Sequence, residues 1–159
     1  MRRILWILPL LLFSGCATTH PYLIISQNCN CEEIILNDHH YPVSYRFKAH
    51  YSVGEAIVTT VEIEFINQST EDLFLDLGTV KISSRNISYQ YNDKFLPLPD
   101  VVVRPSGTHT LRMVGVETAP SKDPKKELEG EQLIVVVKGL RIGVHTLDPQ
   151  TITLELVTQ

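Results

Sequence analysis

Val43-Ser44-Tyr45-Arg46-Phe47-Lys48-Ala49-His50-Tyr51 decides the fold class. Val43, Tyr45, Phe47, Ala49 and Tyr51 fall on one side of this stretch, and Ser44, Arg46, Lys48 and His50 on the other. Successive side chains of an extended chain point to opposite faces, so strict apolar/polar alternation reads as a strand with one face on a core and one in water. Ser52-Val53-Gly54-Glu55 supplies a turn, and alternation resumes with Ile57, Thr59, Val61, Ile63 and Phe65 against Val58, Thr60, Glu62 and Glu64. The two runs pair as an antiparallel hairpin.

Working outward, Asn67-Gln68-Ser69-Thr70-Glu71-Asp72 is a turn built of short polar side chains that bond their own backbone, and Leu73, Leu75 and Leu77 alternate after it. Further strands are expected at Tyr22–Ile25, Thr79–Ser83, Ile87–Tyr91, Val101–Arg104, Thr108–Val114, Gln132–Lys138 and Thr151–Val157, with Gly, Pro, Asn or Asp between them. Leu133-Ile134-Val135-Val136-Val137 is apolar on both faces, as in a central strand. No stretch carries a helical stripe. The expected fold is all-β, a single antiparallel β-sandwich over residues 35–159. The long charged break, Glu117 to Glu131 with Pro120 and Pro124, reads as a solvated loop, because too little chain follows for a second core.

The first residues carry a different message. Arg2 and Arg3 precede the apolar run Ile4 to Phe13, and the small pair Ser14-Gly15 follows. Basic, apolar and small-residue regions in that order make a secretory signal over residues 1–15. The run is ten residues, against roughly 20 for a helix that crosses the hydrocarbon core. Phe13-Ser14-Gly15-Cys16 resembles the lipobox of bacterial lipoprotein precursors, with Phe13 where Leu is commonest. The resemblance implies a diacylglycerol on the Cys16 sulfur, cleavage just before it, and acylation of the new amino terminus. Ala17 in place of Asp implies the outer membrane. Residues 16–34 then form the lipidated tether with a first short strand.

A second resemblance rests on Val61 to Leu73 and on Val103-Arg104-Pro105-Ser106-Gly107-Thr108-His109-Thr110-Leu111. The first is similar to the strand, Asn-Ser turn, strand unit of small immunoglobulin-like domains of envelope lipoproteins, the second to their Pro-x-Gly turn and following strand. The cysteine pair and strand tryptophan of antibody domains are missing, since the one Trp is Trp6 in the signal.

Removal of residues 1–15 takes two arginines from the 14 basic residues and leaves 18 acidic ones, a formal net charge of −6. An acidic module does not neutralise phosphates, which argues against nucleic-acid binding. No nucleophile elbow, phosphate loop, zinc-protease helix motif or calcium loop is legible, and no catalytic residue is expected. The most unusual local feature is Cys29-Asn30-Cys31, with Glu32, Glu33, Asp38, His39 and His40 following. Thiolates two residues apart lie on one side of an extended chain and, with imidazoles, are able to bind Cu(I) or Zn(II). A reliable zinc site has two spaced pairs and this has one, so the expectation is no metal site and no cofactor, with the cysteines as thiols or a strained bridge. His20, His50, His109 and His145 are scattered and carry no assignment, while Glu62 and Glu64 read as the wet face of a strand. Asn67-Gln68-Ser69 and Asn86-Ile87-Ser88 match a glycosylation pattern but read as turn and strand residues.

The expected function is a non-catalytic structural or binding module of the bacterial cell envelope. Its partners are the bilayer, through acylated Cys16, and an envelope protein met by edge strands and loops. The alternatives are a periplasmic metal-binding or redox lipoprotein using Cys29, Cys31, His39 and His40, and an accessory lipoprotein of secretion or envelope assembly.

Overall fold

The computed structural model describes residues 18–26, 29–31, 33–53, 57–85, 87–91, 100–117 and 130–158. Within them the alternating stretches become strands: β1 (Thr18–Ser26), β2 (Cys29–Cys31), β3 (Glu33–Asn37), β4 (Val43–Val53), β5 (Ile57–Asn67), β6 (Leu73–Asp76), β7 (Lys81–Ser83), β8 (Ile87–Tyr91), β9 (Asp100–Val103), β10 (Thr108–Glu117), β11 (Gln132–Val137), β12 (Leu140–Ile142), β13 (His145–Thr146) and β14 (Gln150–Thr158). The only helical turn among the described residues is the 3-10 turn Leu77–Thr79.

All pairings are antiparallel. Ten strands form one ladder in the order β2-β1-β14-β11-β7-β8-β10-β5-β4-β3, and β1 also pairs with β4, so the ladder closes on itself. The closure runs through two seams. One is β1, whose Thr18–Tyr22 half faces Val53–Ala49 of β4 while Tyr22–Ile25 faces Thr158–Glu155 of β14. The other is the single pairing of Ser83 with Ser88 between β7 and β8. A second sheet, β13-β12-β6-β9, adds its inner face to the same core. The result is the antiparallel β-sandwich that alternation implies.

The inward positions are those that period two assigns. Val43, Tyr45, Phe47 and Ala49 of β4 and Thr59, Val61, Ile63 and Phe65 of β5 are buried, and so are Leu133, Val135 and Val137 of β11. Each large apolar side chain so removed from water contributes about 1.5 to 3 kcal/mol.

Several expectations need correction. Ser44, placed on the wet face, is fully buried, because β3 covers that edge and Asn37, directly opposite, accepts a 2.7 Å hydrogen bond from its hydroxyl. β11 is central, between β14 and β7, and Ile134 on its outer face is 42% exposed. Leu77 leaves the strand pattern for the 3-10 turn while staying buried. Glu117 belongs to β10, and Glu131 is buried, with Ser84 donating to its carboxylate, so the solvated loop has different ends from those expected. Its residues 118–129 lie outside the described ones. Residues 16–34, read as tether and first short strand, hold β1, β2 and the start of β3, and the boundary at residue 35 falls inside β3.

Candidate functional site

Register sorts the loops into two ends. Thr18 faces Val53, Val53 faces Ile57, Val116 faces Val58 and Glu117 faces Ile87, so these residues share one end. The other end holds the links Asp38–Pro42, Gln68–Asp72, Arg104–Gly107 and Gly143–Val144.

Asn67, the last residue of β5, ties that far end together. It is fully buried. Its Nδ2 donates to the carbonyls of Glu71 and Val103, both at 2.8 Å, and its Oδ1 accepts from the Ser69 amide at 2.9 Å. The backbone amide of Asn67 donates to the Gly107 carbonyl at 3.0 Å, and its carbonyl accepts from the Ser106 amide at 2.9 Å. One buried side chain and its peptide groups thus bond two parts of the chain, the Ser69–Glu71 turn and the Val103–Gly107 link, and leave none of the Asn67 polar groups unmet. Neighbouring bonds extend the web, with Gln68 N donating to the Pro42 carbonyl and Gly143 N to the Asp72 carbonyl. Tyr41 Oη donates to Asp148 Oδ2 at 3.2 Å. The two segments that carried the immunoglobulin-like resemblance, around Asn67 and around Pro105, meet here side by side. Val144, 89% exposed, projects from the tip of the β12–β13 turn.

A charged groove of about 180 Å³ runs over the outer face of β4, β5 and β10, lined by Arg46, Lys48, Glu62, Glu64 and Thr110. Arg46 and Glu64 are directly opposed and paired at 2.5 Å, and Arg112 bonds Glu62 with Nη2 at 2.5 Å and Nε at 2.9 Å. Glu62 and Glu64 keep about a fifth of their side-chain surface exposed, so they are half-buried ion-pair partners and not free wet-face acids. The outer face of the second sheet has Arg141 stacked 4.9 Å above Phe74 and Asp76 directly across from Asp100.

The shifted titrations belong mainly to core phenols. Burial pushes Tyr89 up to about 12, with the charge of Glu131 adding and the Thr59 hydrogen bond opposing. Burial and then Asp38 raise Tyr45, while burial and then Asp76 raise Tyr91. Tyr91 Oη donates to the carbonyl of Leu77, with that of Val80 also in reach, which pins the 3-10 turn. Burial lowers His109. Phenols so held stay protonated at neutral pH and act as donors and packing groups.

Of the residues singled out from sequence, Cys16 lies outside the described ones. Cys29 and Cys31 are on β2, where they face Ser26 and Ile24 of β1, and their side chains are likewise outside. His39 and His40 are exposed on the bend before β4. Among the described residues no group of three or more His, Cys, Asp or Glu could hold a metal ion. Asn67, matched to a glycosylation pattern, buries the nitrogen a glycan would need. Its organising role went unread, although Ser at the second position after Asn is the mark of an Asx turn.

No family model matches the chain, and no curated protein does. Among solved structures, the chain is similar to the FixG-related protein from Vibrio parahaemolyticus, at 10% identity and a TM-score of 0.40, with 74% of this chain and 96% of that chain covered. At that level neither fold detail nor function passes from one to the other.

Proposed function

We propose that this chain is a non-catalytic structural or binding module of the bacterial cell envelope, held on the outer membrane by lipid on Cys16. The observation that carries the reading is the order of residues 1–16: two arginines, a ten-residue apolar run, Ser14-Gly15 and then cysteine. Two or more acyl chains give stable anchoring, at about 0.8 kcal/mol for each buried methylene, without any spanning element. The folded part supports a binding role in two ways. Its far end is a set of loops fixed to one another through Asn67, and its β4–β5–β10 face offers charges of both signs, which steer and orient a protein partner. Metabolic labelling with palmitate tests the anchor. The wild type incorporates label and is shortened, whereas Cys16→Ala does neither; an Ala variant that is labelled and processed normally overturns the proposal.

A further inference from the structure

We infer that the domain sits directly on the bilayer with its Thr18 end against the lipid headgroups, and that the Asn67 end is held away from the membrane as the surface open to partners. This rests on the anchor proposed at Cys16. β1 begins at Thr18, so two residue steps separate the acylated residue from a strand paired with β4 from Thr18 and with β14 from Tyr22. Two extended steps span at most about 7 Å. A tether of that length gives the domain no freedom to hang away from the surface or to turn over.

Register fixes what accompanies Thr18. The ends of β4 and β5 at Val53 and Ile57 lie at the same level, as do the end of β10 at Glu117 and the start of β8 at Ile87. Ser84 and Arg85, which lead from β7 into β8, therefore fall at this end. Arg85 is exposed there, and a cation next to anionic headgroups is attracted to them. β5 then carries the chain over 11 residues to Asn67, about 33 Å further on. Charge favours standing over lying down: the net −6 that remains after signal removal is repelled by an anionic surface when the flanks approach it. The partner of the Thr18 end is thus a lipid surface, while the linked loops and Val144 point into the aqueous space.

The test uses the full chain purified from native membranes and reconstituted in phosphatidylethanolamine–phosphatidylglycerol vesicles containing headgroup-nitroxide lipid. A fluorescent amino acid replaces Arg85 in one sample and Val144 in another. The expected result is several-fold stronger quenching at position 85 than at 144, with the difference shrinking when a Gly/Ser segment is inserted between Ala17 and Thr18. Equal quenching at both positions, stronger quenching at 144, or a difference unaffected by the insertion overturns the orientation while leaving the anchor intact. Mass spectrometry of the same preparation separates the two readings, because a chain without acyl groups on Cys16 overturns the anchor and the orientation together.

Discussion

Asn67 and Tyr45 are two buried polar residues whose energetics run in opposite directions. Asn67 satisfies the carbonyls of Glu71 and Val103 with its two amide protons. Asn67→Ala leaves the Val103 carbonyl without its donor in a closed environment, whereas the exposed Glu71 carbonyl keeps the Ser69 hydroxyl at 2.7 Å, and a buried group left unmade costs about 1 to 3 kcal/mol. The expected loss is of that size, about 1 to 3 kcal/mol, read from urea unfolding as a lower midpoint at unchanged m-value. Tyr45 is 2% exposed, and no described residue accepts a hydrogen bond from its hydroxyl. Its ring packs edge-on to Phe65 at 5.9 Å, a contact that Phe retains. Tyr45→Phe therefore removes a desolvated polar group at no packing loss, and stability should stay level or rise by about 1 kcal/mol. A loss above about 2 kcal/mol would mean that the hydroxyl has a partner. Alternation alone put Tyr45 in the core, since its neighbours at every second position are apolar. It did not indicate that Asn67 would be buried too, because Asn at a strand end followed by Ser reads as an ordinary exposed turn.

At the scale of elements, the long hairpin β4–β5 was legible because each strand alternates over enough residues to leave one reading, and opposite charges at Arg46 and Glu64 sit in register across it. A slip of one residue would bring every core side chain of the hairpin to the water side. β12 and β13 were not legible. They span three and two residues, and their pairing depends on β6, which lies more than sixty positions earlier in the chain. β10 shows how one residue permits close packing. Gly115 faces Thr59 on one side and Tyr89 on the other, and a Cβ there would meet Thr59 Oγ1 and Ile87 Cγ2 at 2.5 Å. Gly115→Ala should cost about 1 to 3 kcal/mol by overpacking. Gly78→Ala is the comparison, because its Cβ would meet only the exposed Asp76 carboxylate, at 3.3 Å, which yields by a small side-chain shift, so its thermal midpoint should fall less than that of Gly115→Ala. Equal midpoints for the two variants would contradict the packing at Gly115.

For the whole molecule, the buried phenols of Tyr45 and Tyr89 and the half-buried one of Tyr91 set how the fold meets alkali. Tyr45, Tyr89 and Tyr91 are raised above the ordinary value of about 10, mainly by desolvation, Tyr89 to about 12. A group whose folded pKa exceeds its unfolded one stabilises the fold fully below the unfolded value, and that contribution is lost as pH rises through the folded value. Stability should therefore hold to about pH 10 and fall between there and about 12. Phenolate absorbance should rise late for these three of the six tyrosines, together with the loss of structure. Titration of all six near pH 10 in a chain still folded would contradict the burial. The sequence by itself determined the all-β class and the inward face of each long strand, because these follow from local period and composition. Only the tertiary structure decided that β1 closes the ladder between β14 and β4, that Asn67 ties its own turn to the distant Val103–Gly107 link, and that Ser44 is covered. Those outcomes depend on which strands become neighbours, and that choice is made by packing one shared core, not by any residue's immediate surroundings in the chain.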